Sequence, residues 1–201
     1  MMLRPRQSLL VDRTLSALDA YGNTLAVAPT GSGKTIMLSA VAGRVLVEPD
    51  AKACILAHRT ELTGQNRAKF ERVNPGMSTS VFDANEKSWS GQATFAMVQT
   101  LSRLSHLEQM PTLDLLVIDE AHHSSSPSYR AVIDAVLARN PKAGICGLTA
   151  TPKETKTASG IVITTLKEGS GASPRFCRPA RKCLGCQGRG GVYREELFGC
   201  A

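Results

Sequence analysis

Residues 8–148 predict an α/β fold in which helices flank a single parallel sheet, and three observations carry the prediction. Short β-rich runs alternate with amphipathic stretches, the pattern of strand-helix-strand units around a parallel sheet. A glycine-rich loop, Ala28-Pro29-Thr30-Gly31-Ser32-Gly33-Lys34-Thr35, leads from the first strand-like run into a helical stretch. A wholly apolar run, Leu115-Leu116-Val117-Ile118, passes directly into Asp119-Glu120-Ala121-His122, as expected of a strand buried on both faces that ends at a loop.

Taken in order, the strands are expected at 24–28, 53–57, 78–82, 93–98, 115–118 and 144–148. Helices fill 8–19, 33–47, 60–72 and 126–139. In the last of these, Tyr129, Val132, Ile133, Val136 and Leu137 recur at spacings of three and four, which sets one apolar stripe on a helix. Residues 83–91 read as a polar loop that carries the sole tryptophan, Trp89. No internal repeat is evident.

Length and composition narrow the function classes. The 201 residues suffice for one domain with a full core, and are too few for two large α/β lobes of about 150 residues each. An apolar fraction of 42% with 20% charged residues is that of a soluble globular chain. No run approaches the roughly 18 apolar residues that span a bilayer, so no membrane partner is expected. The N-terminus is basic but lacks the apolar core of a secretory signal, which makes the cytoplasm the expected location.

The net charge of +7 is unevenly placed. Residues 1–152 hold 15 Lys and Arg against 13 Asp and Glu, a net of +2, while residues 153–201 hold 9 against 4, a net of +5. The bulk charge is therefore weak evidence for nucleic-acid binding.

The glycine-rich loop is the most specific signal. Between a strand and a helix, Gly31 and Gly33 let backbone N–H groups turn inward, and the helix N-terminus adds positive potential. Thr30 and Ser32 complete the cradle. Lys34 would reach the β- and γ-phosphates of a nucleotide, and the Thr35 hydroxyl would meet Mg²⁺. Ala28 stands where the usual pattern has its leading glycine. At the strand end, Asp119 would hold Mg²⁺ directly or through water, and Glu120 would orient and deprotonate the attacking water. His122 is a candidate link between the phosphate site and a neighbouring segment.

These motifs together resemble the first RecA-like lobe of a superfamily-two helicase of the DEAD/DEAH-box class. The nearest branch is the one shared with the motor subunits of type I and type III restriction enzymes, and the likeness covers about residues 2–152. The resemblance implies ATP and Mg²⁺ as cofactors and nucleic acid, DNA rather than RNA, as partner. Leu3-Arg4-Pro5-Arg6-Gln7 resembles the family's glutamine motif, which implies that Gln7 reads the adenine with Arg4 nearby. Ala57-His58-Arg59-Thr60-Glu61-Leu62 and Met97-Val98-Gln99-Thr100-Leu101 resemble motifs Ia and Ib, so Arg59, Thr60, Gln99 and Thr100 are implied to grip the strand backbone. Such contacts carry no sequence preference. Gly147-Leu148-Thr149-Ala150-Thr151-Pro152 resembles motif III, which implies that Thr149 and Thr151 couple the nucleotide to the strand.

From Lys153 the family pattern stops. Residues 153–201 are expected to form an irregular, disordered tail, with only 161–166 reading as a strand. A reading-frame shift after Pro152 and a genuine lineage-specific extension both account for it. Cys183 and Cys186 form a C-x-x-C knuckle with Cys177 and Cys200 nearby, but no second pair completes a zinc site, so zinc is not expected. Family members continue into a second RecA-like lobe, which a separate polypeptide could supply. The reading is thus the ATP-binding lobe of an ATP-dependent DNA helicase, poorly active alone. A non-catalytic nucleotide-binding or adaptor module with an interaction tail is the alternative.

Overall fold

A computed structural model describes residues 2–58 and 60–150, together with the backbone of Ile163–Thr165 and Arg194–Glu195. Arg59, Thr151, the side chain of Thr60 and the tail cysteines lie outside the described residues.

Helix α1 (Pro5–Tyr21) leads into β1 (Asn23–Val27), then α2 (Lys34–Val45), β2 (Ala53–Ala57), α3 (Thr60–Val73) and β3 (Thr79–Phe82). There follow β4 (Ala93–Met97), α4 (Val98–Leu101), α5 (Leu104–Glu108), β5 (Leu115–Asp119), α6 (Pro127–Arg139) and β6 (Gly144–Thr149). The strands form one parallel sheet in the order β3-β4-β2-β5-β6-β1, to which β7 (Ile163–Thr165) and β8 (Arg194–Glu195) add beyond β1. The α/β class and all six strands of the lobe match expectation, and β7 falls inside the one tail segment that reads as a strand.

The sheet is buried on both faces because its strands alternate between two cores. Ile55, Phe95, Leu115 and Val117 face the cluster shared with Leu10, Val11, Met37, Val41 and Phe70 of α1, α2 and α3. Their chain neighbours Cys54, Leu56, Ala96, Leu116 and Ile118 face the other cluster, with Leu101, Leu107, Tyr129, Val132 and Val136. A pleat with a period of two requires this split. Every residue of the two central strands β2 and β5 is buried, which is why both read as continuous apolar runs.

Two local expectations change. The sequence predicts a strand reaching Val98, yet β4 stops at Met97 and the chain turns helical at Val98, followed by the unanticipated α5. Val98, Leu101, Leu107 and Met110 all bury against one sheet face, and that burial overrides the β-propensity of Val98. On α6 the buried stripe is Tyr129, Val132 and Val136, while Leu137 is 36% exposed on the helix flank.

Helix α3 is anchored to the sheet and to α2. Phe70 is fully buried and meets the edge of Phe95 on β4 with ring centroids 5.6 Å apart. Asn74 donates its Nδ2 hydrogen to the Ser39 carbonyl of α2 at 2.8 Å. Phe70→Ala is expected to cost about 3–5 kcal/mol of stability through lost burial and a residual cavity. Urea denaturation followed by far-UV circular dichroism checks it.

Candidate functional site

Because every strand of the lobe runs the same way, all strand C-termini emerge at one edge of the sheet. The register makes this specific: Val27 pairs with Thr149, Leu148 with Asp119, and Ala57 with Met97. The C-terminal ends of β1, β2, β4, β5 and β6 therefore share one rim, where ligands of open α/β sheets bind. Only β6 separates β1 from β5, a span of about 10 Å at the usual strand spacing.

The loop 28–33 leaves β1 with Ala28 N–H donating to the Thr149 carbonyl at 3.0 Å. Gly31 and Gly33 hold φ of 81° and 86°, the left-handed region open to glycine at little cost. At Gly33 a second constraint applies. A Cβ there would stand 2.5 Å from Gln7 Nε2, which packs on the glycine from α1. Gln7 donates Nε2 to the Ser32 carbonyl at 2.9 Å and accepts from Arg4 N–H at 2.9 Å, so the segment implied to read adenine is tied to the loop itself. Arg4 and Thr30 are at the surface, and Lys34 and Thr35 are half-buried at the start of α2.

The loop fits an anionic guest. Ser32 Oγ is buried with no hydrogen-bond partner among the described residues. Lys34 forms no ion pair among them either. A free ammonium at a helix N-terminus, beside an orphaned hydroxyl, presents donors and positive potential to a phosphate.

Across β6, Asp119 ends β5 at 7% exposure. Its Oδ1 accepts from Glu120 N–H at 3.0 Å and its Oδ2 accepts from Asn66 Nδ2 at 3.0 Å. Both donors are neutral groups rather than cations. The described residues hold no group of three or more His, Cys, Asp or Glu able to cage a metal. A Mg²⁺ bound with a nucleotide needs no such cage, since one carboxylate plus substrate phosphates suffices, and Asp119 and Thr35 are the residues that would hold it.

Glu120 is the only non-glycine among the described residues with a positive φ, at φ 54° and ψ 51°. That backbone turn swings the chain into a short 3₁₀ turn, Ala121–His123. His122 Nδ1 then lies 3.1 Å from Thr149 Oγ1 and 3.3 Å from Glu120 Oε2. One ring thus touches both the acidic motif and the fully buried Thr149.

The rim extends sideways through rings. His123 packs against His122 at 4.1 Å and stacks on His58 at 5.0 Å. Gln99 Nε2 donates to the His58 carbonyl at 2.9 Å. Of the pair implied to grip a strand, Gln99 is exposed and Thr100 is 5% exposed, with its carbonyl contacting His106 Nδ1 at 2.7 Å. Of the two, only Gln99 offers its side chain to the surface.

As site residues, Asn66, Tyr129, His58 and His123 escape sequence reasoning. Asn66 does leave a signal, because Thr63, Asn66 and Phe70 form the buried stripe of α3, at spacings of three and four. A polar amide in a buried stripe needs a partner. Tyr129 leaves none, since a tyrosine in an apolar stripe reads as core. Its hydroxyl is buried without a partner among the described residues. Burial first, then the charges of Asp119 and Glu120, push its pKa up to about 12.

The fold and site together define a RecA-like P-loop lobe. The chain belongs to the type III restriction enzyme, res subunit family, whose sequence signature matches residues 1–154. It is 34% identical over 157 residues to a Schizosaccharomyces pombe protein assigned as the mitochondrial ATP-dependent helicase irc3, covering 74% of this chain and 26% of that protein. A Saccharomyces cerevisiae protein assigned as the ATP-dependent helicase IRC3 is 28% identical over 144 residues, covering 66% and 21%. The chain therefore spans about a quarter or less of these relatives' length. Among solved structures, the Hef helicase domain of Pyrococcus furiosus matches with a TM-score of 0.68 at 22% identity, covering 81% of this chain and 38% of that one. The Type ISP restriction-modification enzyme LlaGI, solved with a DNA substrate mimic, matches at 0.65 and 12% identity, covering 84% and 20%. Both likenesses are of fold.

Two outcomes are expected from this geometry. Glu120→Asn should stabilise the lobe by about 1 kcal/mol, because asparagine enters the left-handed region more readily than glutamate; a thermal melt without nucleotide checks it. Tyr129→Phe should raise stability at neutral pH by about 1 kcal/mol by removing an unpaired buried hydroxyl. Tyrosine at 129 keeps its proton in the fold up to about 12 but loses it near 10 when unfolded. Wild-type stability should therefore fall across that window relative to Tyr129→Phe, read as urea midpoints at pH 9 and pH 11.5.

Proposed function

We propose that the chain is the ATP-binding, nucleic-acid-contacting N-terminal lobe of an ATP-dependent DNA helicase or translocase. The observation that carries the reading is the shared rim. A phosphate-type loop, whose Lys34 has no ion pair among the described residues, stands one strand away from the Asp119, Glu120 and His122 cluster, and His122 reaches Thr149 on the strand between.

Each residue has a part in the reading. The loop N–H groups and Lys34 bind the phosphates, and Gln7 with Arg4 meets the base end. Thr35 and Asp119 hold Mg²⁺, which neutralises phosphate charge. Glu120 orients the attacking water and accepts its proton. The ring of His122 ties that carboxylate to Thr149, so a shift at motif III is felt beside the water. Arg59, Thr60 and Gln99 touch the strand backbone, with Thr151 expected to act beside Thr149. The helicase names of the relatives support a nucleic-acid partner, and the DNA substrate mimic bound to LlaGI favours DNA as the polymer.

Turnover by this lobe alone should be slow. Nucleotide hydrolases of this kind use a cationic finger worth roughly 10³ to 10⁵ in rate, and intact relatives of the helicase class draw it from the second lobe. The 201-residue chain is expected to bind an ATP analogue with Mg²⁺ and to hydrolyse ATP poorly. Lys34→Ala should weaken that binding about 10- to 100-fold, the value of one charge-assisted contact. Isothermal titration and a phosphate-release assay with and without DNA check both points. A strong DNA-stimulated ATPase from the isolated chain would overturn the slow-turnover reading, and unchanged binding by Lys34→Ala would overturn the nucleotide site.

A further inference from the structure

We propose that Asn66 is a positioning residue that fixes the Asp119 carboxylate for the divalent cation of the bound nucleotide. The proposal rests on the reading of Asp119 as a metal ligand, and it concerns a residue outside the phosphate loop, the acidic strand end and motifs Ia, Ib and III.

Four observations converge on it. Asn66 is 3% exposed, yet it is polar and sits in the buried stripe of α3 between Thr63 and Phe70. Its Nδ2 donates to Asp119 Oδ2 at 3.0 Å, while Glu120 N–H holds Oδ1 at 3.0 Å. Each carboxylate oxygen therefore has one fixed donor, which sets the rotamer and leaves a lone pair on each oxygen for a cation. An amide orients the carboxylate without neutralising it, whereas a lysine or arginine here would compete with the metal.

Position strengthens the case. Asn66 and Thr35 line the same cavity of about 10 Å³, with Ser39 and Phe70 around them. The amide thus bonds the carboxylate on one side and shares a small, mostly apolar cavity with Thr35 on the other. Its helix is held firmly: Phe70 is seated against Phe95, and Asn74 bonds to the Ser39 carbonyl of α2. The same helix begins at Thr60, beside the loop implied to grip a strand. A tilt of α3 on strand binding would move Asn66, and with it the Asp119 carboxylate.

The test uses the full 201-residue chain, with Mn²⁺ as probe and electron paramagnetic resonance reading its affinity in the presence of ATP. Asn66→Leu keeps the branched shape and the number of heavy atoms and removes the donor. Asn66→Gln keeps the donor but displaces it by one methylene, which protects the test if the leucine variant does not fold. Outer-shell partners of metal ligands typically contribute 10- to 100-fold in affinity. We expect a loss of at least about tenfold for Asn66→Leu and of several-fold for Asn66→Gln. ATP binding in EDTA should stay close to wild type for both, because the Asn66 amide bonds to Asp119 and not to the phosphate loop, and a merely destabilised fold would weaken both affinities together. Mn²⁺ affinities within twofold of wild type in both variants would overturn the proposal, as would a loss in EDTA equal to the loss with metal. A wild-type chain that binds no ATP at all would instead overturn the underlying nucleotide site, and the proposal with it.

Discussion

The shared direction and register of six strands is the constraint on which the rest depends. In a mixed sheet the ends of β1, β5 and β6 would fall on opposite rims, and the loop before α2 could not meet Asp119. With all strands parallel, Val27, Asp119 and Thr149 end level with one another. That arrangement is possible only because β2 and β5 are apolar on both faces, so that helices can cover each side. The core and the site are therefore products of the same pattern.

Charge at the rim is arranged by neutral groups. Asp119 is fixed by an amide and a backbone N–H rather than by a cation, and Lys34 is held without an ion pair among the described residues. Opposite charges thus face a common space without having cancelled one another. In the function proposed above, a nucleotide with its metal would complete both sides at once, since the phosphates need the cationic loop and the metal needs the carboxylate. The left-handed backbone at Glu120 belongs to the same arrangement. Strain of this kind persists where surrounding contacts over-determine it, and here the contacts are those of His122 with Thr149 and with Glu120 itself.

Two kinds of link cross the rim. One runs through hydrogen bonds from Glu120 to His122 to Thr149, joining the acidic motif to β6. The other runs through stacked rings from His122 to His123 to His58, and on to Gln99 by a hydrogen bond. The acidic motif is thereby in physical contact with both Thr149 on β6 and the surface that offers Gln99. Tyr129 is a buried hydroxyl without a partner among the described residues, in the field of the Asp119 and Glu120 charges.

The sequence by itself determined the fold class, the six strands, the phosphate loop and the acidic strand end, because each of these is written in contiguous residues. Alternation, a glycine-rich turn before a helix and an apolar run ending in Asp-Glu are local signals. It did not determine that Thr100 is buried while Gln99 is exposed, that Val98 starts a helix, or that Leu137 lies outside the core. Those depend on which face of an element meets the sheet. Asn66 was half legible, as a polar residue in a buried stripe, but its partner lies 53 positions away. The tertiary structure alone decided that pairing, along with the contacts of His122 with Thr149 and of His58 with His123. The physical reason is that a parallel sheet orders its strands β3-β4-β2-β5-β6-β1 in space and not in sequence, so residues that act together arrive from segments far apart along the chain.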